Sequence, residues 1–222
     1  MIHRHPFEPI LFEDTTKLIV GTLPPPRFSF EELALKAEDV EFCYGSADNQ
    51  LWRILDLIYD LDLEFAPTKK AQKQRTEFLQ KYKVGICDSV SSCVREKIDA
   101  SDTGMQEVVL RDLLAILRSY KNVDTLLLMG GASKNSPEYF LHKLLKKEQI
   151  TFKLVEENKP KLHQFLLDSR IITVVSLISP SNAANRSIGA DPSYKMQKKQ
   201  DPNFTTFDFR VAQYKKFFPI KN

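Results

Sequence analysis

Two polar clusters in this 222-residue sequence have residue types and spacings that could do chemistry. The first is Tyr44-Gly45-Ser46-Ala47-Asp48-Asn49, which runs into an amphipathic segment carrying Trp52, Ile54, Leu55 and Ile58. A carboxylate and an amide side by side at the head of a helix have two uses. They can cap the free backbone N–H groups of the first turn, or they can hold a water and steer or take its proton. The second cluster is Ser179-Pro180-Ser181-Asn182, with Asn185 and Arg186 close behind, directly after the most β-branched apolar run in the chain. Its short hydroxyl and amide groups suit a phosphate backbone, although a polar loop after a strand needs no ligand. Lys195, Lys198 and Lys199 follow, either as an extension of that surface or as ordinary solvated charges.

These clusters need elements to place them. Leu18-Ile19-Val20 meets Gly21-Thr22-Leu23 and then Pro24, Pro25 and Pro26. That reads as a buried strand stopped by a rigid loop. A strand end joined to a helix start is where ligands bind in α/β sheets. Apolar runs predict strands over 17–22, 123–129, 150–155 and 171–178, and helical periodicity predicts helices over 49–59, 67–83, 108–120, 136–147, 159–168 and 205–218. The first sixteen residues read as an arm over the sheet, 30–39 as a short helix or ordered loop, 85–90 as a short turn or strand, and 100–104 as a loop. Four apolar strands alternating with helices predict an α/β fold with a parallel, helix-covered sheet, in a single domain over 1–222.

Composition narrows the classes without choosing among them. At 42% hydrophobic and 27% charged residues, this is an ordinary globular composition. The formal charge of +3 permits nucleic-acid binding but does not argue for it, so any such surface must come from clustering. No apolar run approaches the ~18 residues of a membrane span, and the N-terminus lacks a signal-peptide core. Cys43, Cys87 and Cys93 make no even disulfide framework, which points to a reducing, cytoplasmic setting, and they lack metal-site spacing. His142 and His163 fall on predicted helices away from both clusters. There is no G-x-S-x-G elbow, and Gly130-Gly131 lacks a dinucleotide or P-loop pattern.

The order and strand contexts of three segments carry a resemblance. Gly21-Thr22-Leu23-Pro24 together with Tyr44 to Trp52, then Gly85-Ile86-Cys87-Asp88-Ser89-Val90, then Ser179-Pro180-Ser181-Asn182-Ala183-Ala184 resemble the uracil-DNA glycosylase superfamily, in the branch holding the mismatch-specific and hypoxanthine-DNA glycosylases. The resemblance implies a three-layer α/β/α sandwich around a central four-stranded parallel sheet. It implies a monofunctional enzyme that flips a deaminated base, uracil or hypoxanthine, out of DNA and hydrolyses its glycosidic bond; a non-catalytic DNA- or nucleotide-binding member of the same fold and a small-nucleoside hydrolase are the alternatives. The expected partner is DNA. No cofactor, metal or iron–sulfur cluster is expected, and a monomer is. Asn49 stands where that branch has its catalytic Asn and would orient the water, with Asp48 as the second candidate. Gly21, Thr22 and Leu23 would supply backbone donors to the base, and Tyr44 would stack on it. Ser179, Ser181, Asn182, Asn185, Arg186 and Lys195 would meet DNA. Two positions depart from other superfamily members. Leu23 replaces an Asp or Asn, which shifts the weight to Asn49, and Ile178-Ser179 replaces a His that assists the leaving base. Asp88 is expected to cap a turn.

Overall fold

The structure is a computed structural model and describes residues 1–131 and 133–218. Elements are numbered along the chain. The central sheet has six strands in the order β3 (Val84–Ile86), β2 (Lys17–Val20), β6 (Thr125–Met129), β9 (Arg170–Leu177), β8 (Lys161–Leu167) and β7 (Lys153–Glu156). The first four run parallel, and β8 and β7 are added antiparallel.

This sheet corrects the four-stranded expectation in two places. The run over 150–155 is not a central strand: it yields β7, an antiparallel edge whose four residues are all exposed. The fourth parallel strand is instead β3, three buried residues at the head of the segment read as a short turn or strand over 85–90. The helix expected over 159–168 is β8. Asp168 and Ser169 have φ of 45° and 71° and join Leu167 to its ladder partner Arg170. A two-residue turn with both φ positive matches strand twist and closes a hairpin. With that turn in place, Phe165 and Leu167 point inward while Leu166 stays 60% exposed, a period of two and not of 3.6.

Alternation along the parallel strands splits the core. Ile19, Leu127, Met129, Val175 and Leu177 face one side, where they pack against α1 (Leu51–Tyr59), α2 (Lys69–Lys81) and α7 (Thr206–Tyr214). Leu18, Val20, Leu126, Leu128 and Val174 face the other, against α3 (Leu113–Ser119) and α4 (Pro137–Lys147). The result is three layers. From β2 the chain passes through α1 and α2 to β3 on one flank, and from β3 it passes through α3 to β6 on the other. Right-handed crossovers made in opposite directions put their helices on opposite faces.

Local signals set the helix starts. Thr68 caps α2 and Ser136 caps α4, while Thr205 and Asp208 form a reciprocal capping box on α7. The helix expected over 108–120 is shorter, because β5 (Gln106–Leu110) takes its first residues. That strand joins a small antiparallel sheet with β4 (Val90–Val94) and β1 (Ile2–Arg4). Residues 30–39 are an ordered loop.

Candidate active site

The carboxyl ends of β2 and β6 lie side by side, and the connections leaving them run to opposite flanks of the sheet. This is a topological switch point, where an α/β sheet opens a crevice. A pocket of about 170 Å³ occupies it, lined by residues 21–25 after β2, by Tyr44 and Asn49 ahead of α1, by Asp88 after β3, by Asp102, and by 179–181 after β9.

The two polar clusters meet here. Asn49 and Ser181 form an antiparallel bridge, Gln50 N donates to Pro180 O at 2.8 Å, and Gln50 Nε2 donates to Asn182 Oδ1 at 3.2 Å across 132 positions of chain. Arg210 of α7, 1% exposed, holds the second loop from behind: Nε donates to Ser179 O at 2.9 Å and Nη2 to Ser181 O at 2.8 Å. Asn49 Oδ1 accepts from Leu51 N at 2.9 Å, a capping contact that employs one lone pair. The Asn49 Nδ2 hydrogens have no protein partner among the described residues.

Asp48 lies on the rim, and its side chain is 52% exposed. Lys36 Nζ donates to it at 2.7 and 2.8 Å and Arg27 Nη2 at 3.1 Å. The Lys36 hydrogen bond, with the charges of Lys36 and Arg27, holds its carboxyl below the ordinary range despite some desolvation. A carboxylate shared by two cations is a weak base. Arg27 is itself clamped on fully buried Asp39, at 2.6 and 2.8 Å, and Asp39 also accepts from the backbone of Lys36 and Ala47. This pair organises the loop that carries Tyr44 and Asn49.

The floor is Gly21. A Cβ there would stand 1.9 Å from Tyr44 Oη and 2.6 Å from Asp88 Oδ1, so glycine is required for both groups to reach the pocket. Tyr44 sits at φ 59°, a left-handed conformation uncommon for an aromatic residue. Burial, then the neighbouring Asp88 carboxylate, raises its hydroxyl well above the usual phenol range. Tyr44 Oη and Asp88 Oδ1 are both buried and lie side by side above Gly21; their mutual hydrogen bond adds to the raised Tyr44 titration, and neither has a partner elsewhere among the described residues. A phenol and a carboxylate oxygen left with only each other can exchange that contact for one to a ligand.

Asp88 does not cap a turn. Its second oxygen, Oδ2, accepts from His5 Nε2 at 2.8 Å. Phe7 N donates to His5 Nδ1 at 3.0 Å, which assigns the ring proton to Nε2. His5 and Asp88 side chains are 1% and 6% exposed. A buried His therefore orients a pocket-lining carboxylate whose other oxygen lies beside Tyr44 Oη over Gly21. Elsewhere in the lining Thr22 Oγ1 donates to Asp102 Oδ1 at 2.7 Å. Burial pushes the Asp102 carboxyl up to about 6, and Asp88 adds to this while Thr22 and Arg95 oppose it. Leu23 lines the pocket and packs beside Val90, Cys93, Met105 and Phe140.

Ser179 and Ser181 line the pocket as well, but Asn182, Asn185, Arg186 and Lys195 lie outside it. Asn185 Oδ1 accepts from Thr206 Oγ1 at 3.1 Å, Arg186 is exposed, and Lys195 is exposed on α6 (Pro192–Gln200), a helix with no buried side chain. The sequence reasoning missed His5, Asp102 and Arg210. His5 lies within a segment read as an arm and Asp102 within a segment read as a loop, and neither carries a local signal of contact with the pocket.

No protein-family model matches the sequence, and no curated protein is significantly similar to it. Among solved structures, the chain is similar to the solution NMR structure of a putative uracil DNA glycosylase from Methanosarcina acetivorans, with a TM-score of 0.51 and 18% identity over 96% of this chain and 99% of that one. At that identity the likeness is one of fold.

Proposed function

We propose that this chain is a monofunctional DNA glycosylase that hydrolyses the bond between a deaminated base, uracil or hypoxanthine, and its deoxyribose. The observation that carries this reading is the joining of Asn49 to the 179–181 loop at one switch-point pocket that also holds the His5-oriented carboxylate of Asp88. The fold shared with the Methanosarcina protein, whose name is that of a uracil DNA glycosylase, supports it, as does the motif resemblance to the mismatch-specific and hypoxanthine branch.

Cleavage of an N-glycosidic bond passes through an oxocarbenium-like state. Such a centre needs a water on one face and negative charge nearby. Asn49, with free Nδ2 hydrogens, orients the water. Asp88, fixed by His5, stabilises the cation and accepts the water's proton. Tyr44 Oη, which lies beside Asp88 Oδ1, donates to a carbonyl oxygen of the flipped base. The outer loop from Ser181 to Arg186 and the α6 lysines meet the phosphates.

Short duplexes with one uracil or one hypoxanthine, treated with alkali after incubation, read base release directly. Release from at least one is expected, and release from none, by folded protein, overturns the reading. Tyr44→Phe is a sharper test. Removing a buried hydroxyl whose protein neighbour is Asp88 alone should change the melting temperature by no more than a few degrees, while the loss of one substrate hydrogen bond lowers single-turnover release about tenfold. A group that serves only packing would show neither change in release.

A further inference from the structure

We propose that Asp102 is the general acid of this site, protonating the departing base and so suiting the pocket to bases that leave poorly as anions. The inference rests on the glycosylase reading and deepens it. Asp102 shares the pocket with Asn49 and Asp88. It also lines a second cavity of about 510 Å³, with Met129 and Ser179 common to both, so it stands on the partition between them.

The segment is held rather than loose. Asn135 Nδ2 donates to Asp102 O at 2.9 Å and to Met105 O at 3.0 Å, and the buried Arg95 donates from Nη1 to Ser101 O at 2.7 Å. With Oδ1 accepting from Thr22, Oδ2 is the oxygen that carries an acidic proton. The ionisable groups around it are Asp88 after β3, Tyr44 ahead of α1, the thiol of Cys93 on β4 and Arg95 just beyond it, with Glu138, Lys159, Lys161 and Asp191 across the second cavity. Desolvation dominates and leaves the carboxyl titrating near 6. Asp88 has one oxygen committed to a His5 N–H, which fixes it beside the pocket as the acceptor for the water's proton.

The step balances. The C1′–N bond breaks with its electron pair passing to the base, and Asp102 delivers its proton to a ring nitrogen of that base. The water oxygen bonds to C1′, and the water's proton passes to Asp88. Solvent then returns a proton to Asp102 through the second cavity and takes one from Asp88. Uracil spreads its departing charge over two carbonyls and needs little of this help, whereas a purine needs more.

Single-turnover release from hypoxanthine and uracil duplexes between pH 5 and 9 tests the assignment in wild type, Asp102→Asn and Thr22→Val. Wild-type hypoxanthine release should fall roughly tenfold per pH unit above a midpoint near 6. Asp102→Asn keeps an acceptor for Thr22; it should lower hypoxanthine release about 10²-fold at pH 6, erase that limb, and change uracil release by less than about tenfold. Thr22→Val removes a hydrogen bond that lowers the Asp102 titration, so the limb should move to higher pH. Carbon-13 NMR of the carboxyls should show a titration near pH 6 that Asp102→Asn abolishes. Wild-type rates and an unaltered profile in Asp102→Asn overturn the assignment, as does equal loss on both bases or an unmoved limb in Thr22→Val. Absence of release from any duplex by wild type overturns the glycosylase reading itself, and this proposal with it.

Discussion

Asn49→Ala is expected to lower single-turnover base release by about 10²- to 10⁴-fold, the range for a group that positions or moves a proton in the transition state. Its effect on stability should be small. Asn49 Oδ1 accepts from Leu51 N at the start of α1, and losing such a contact costs about 1 kcal/mol, or about 2–4 °C in melting temperature for a chain of this size. The two readouts separate the two uses of this amide. A residue that only caps the helix would lose the few degrees and keep its rate. Asn49→Asp extends the test, since aspartate caps as well as asparagine but lacks the Nδ2 hydrogens. It should keep the melting temperature and lose release, because the carboxylate cannot donate where Asn49 has its two unused N–H groups. A wild-type rate in Asn49→Ala would move the water-orienting role to another group, with Asp88 the first to examine.

Gly21→Ala should act on fold and chemistry together. The new Cβ would fall 1.9 Å from Tyr44 Oη, 2.8 Å from Tyr44 Cζ and 2.6 Å from Asp88 Oδ1. None of these can retreat easily. Tyr44 sits in a tight turn in which Gly45 N donates to Phe42 O at 2.8 Å and Val40 N to Gly45 O at 2.7 Å, and Asp88 is tied to His5. Overpacking of this kind costs about 1–3 kcal/mol, a fall of about 2–12 °C. Displacing Asp88 and Tyr44 from the pocket floor should also reduce base release by more than about 10³-fold. Adding Tyr44→Ala removes two of the three clashes, so stability should partly return while release does not. Thermal melts and single-turnover assays on the single and double variants check this. A Gly21→Ala protein with wild-type melting temperature and rate would mean that the floor is open and that Asp88 Oδ1 does not need it.

Much of the scaffold can be read from local residues. The apolar runs that yield β2, β6 and β9, and the Thr and Ser caps of α2, α4 and α7, are encoded within a few positions by period and hydrogen-bonding chemistry. So are the two loops, because a strand that stops at Gly21 or at Ser179-Pro180 leaves polar groups at the carboxyl end of the sheet. Even β8 had a local sign in Asp168-Ser169, a hairpin turn whose meaning depends on the strands around it. What tertiary structure alone decided is which of these groups are poised for chemistry. His5 reaches Asp88 across 83 positions and Thr22 reaches Asp102 across 80. Asp48, beside Asn49 in the chain, is held by Lys36 and Arg27, while Asp88 and Asp102 are brought to the pocket from separate segments. Residue type fixes that a carboxyl can ionise. Its readiness to hold or give up a proton depends on the water, charges and hydrogen bonds that distant segments bring to it, and those are properties of the packed sheet and its loops rather than of any stretch of sequence.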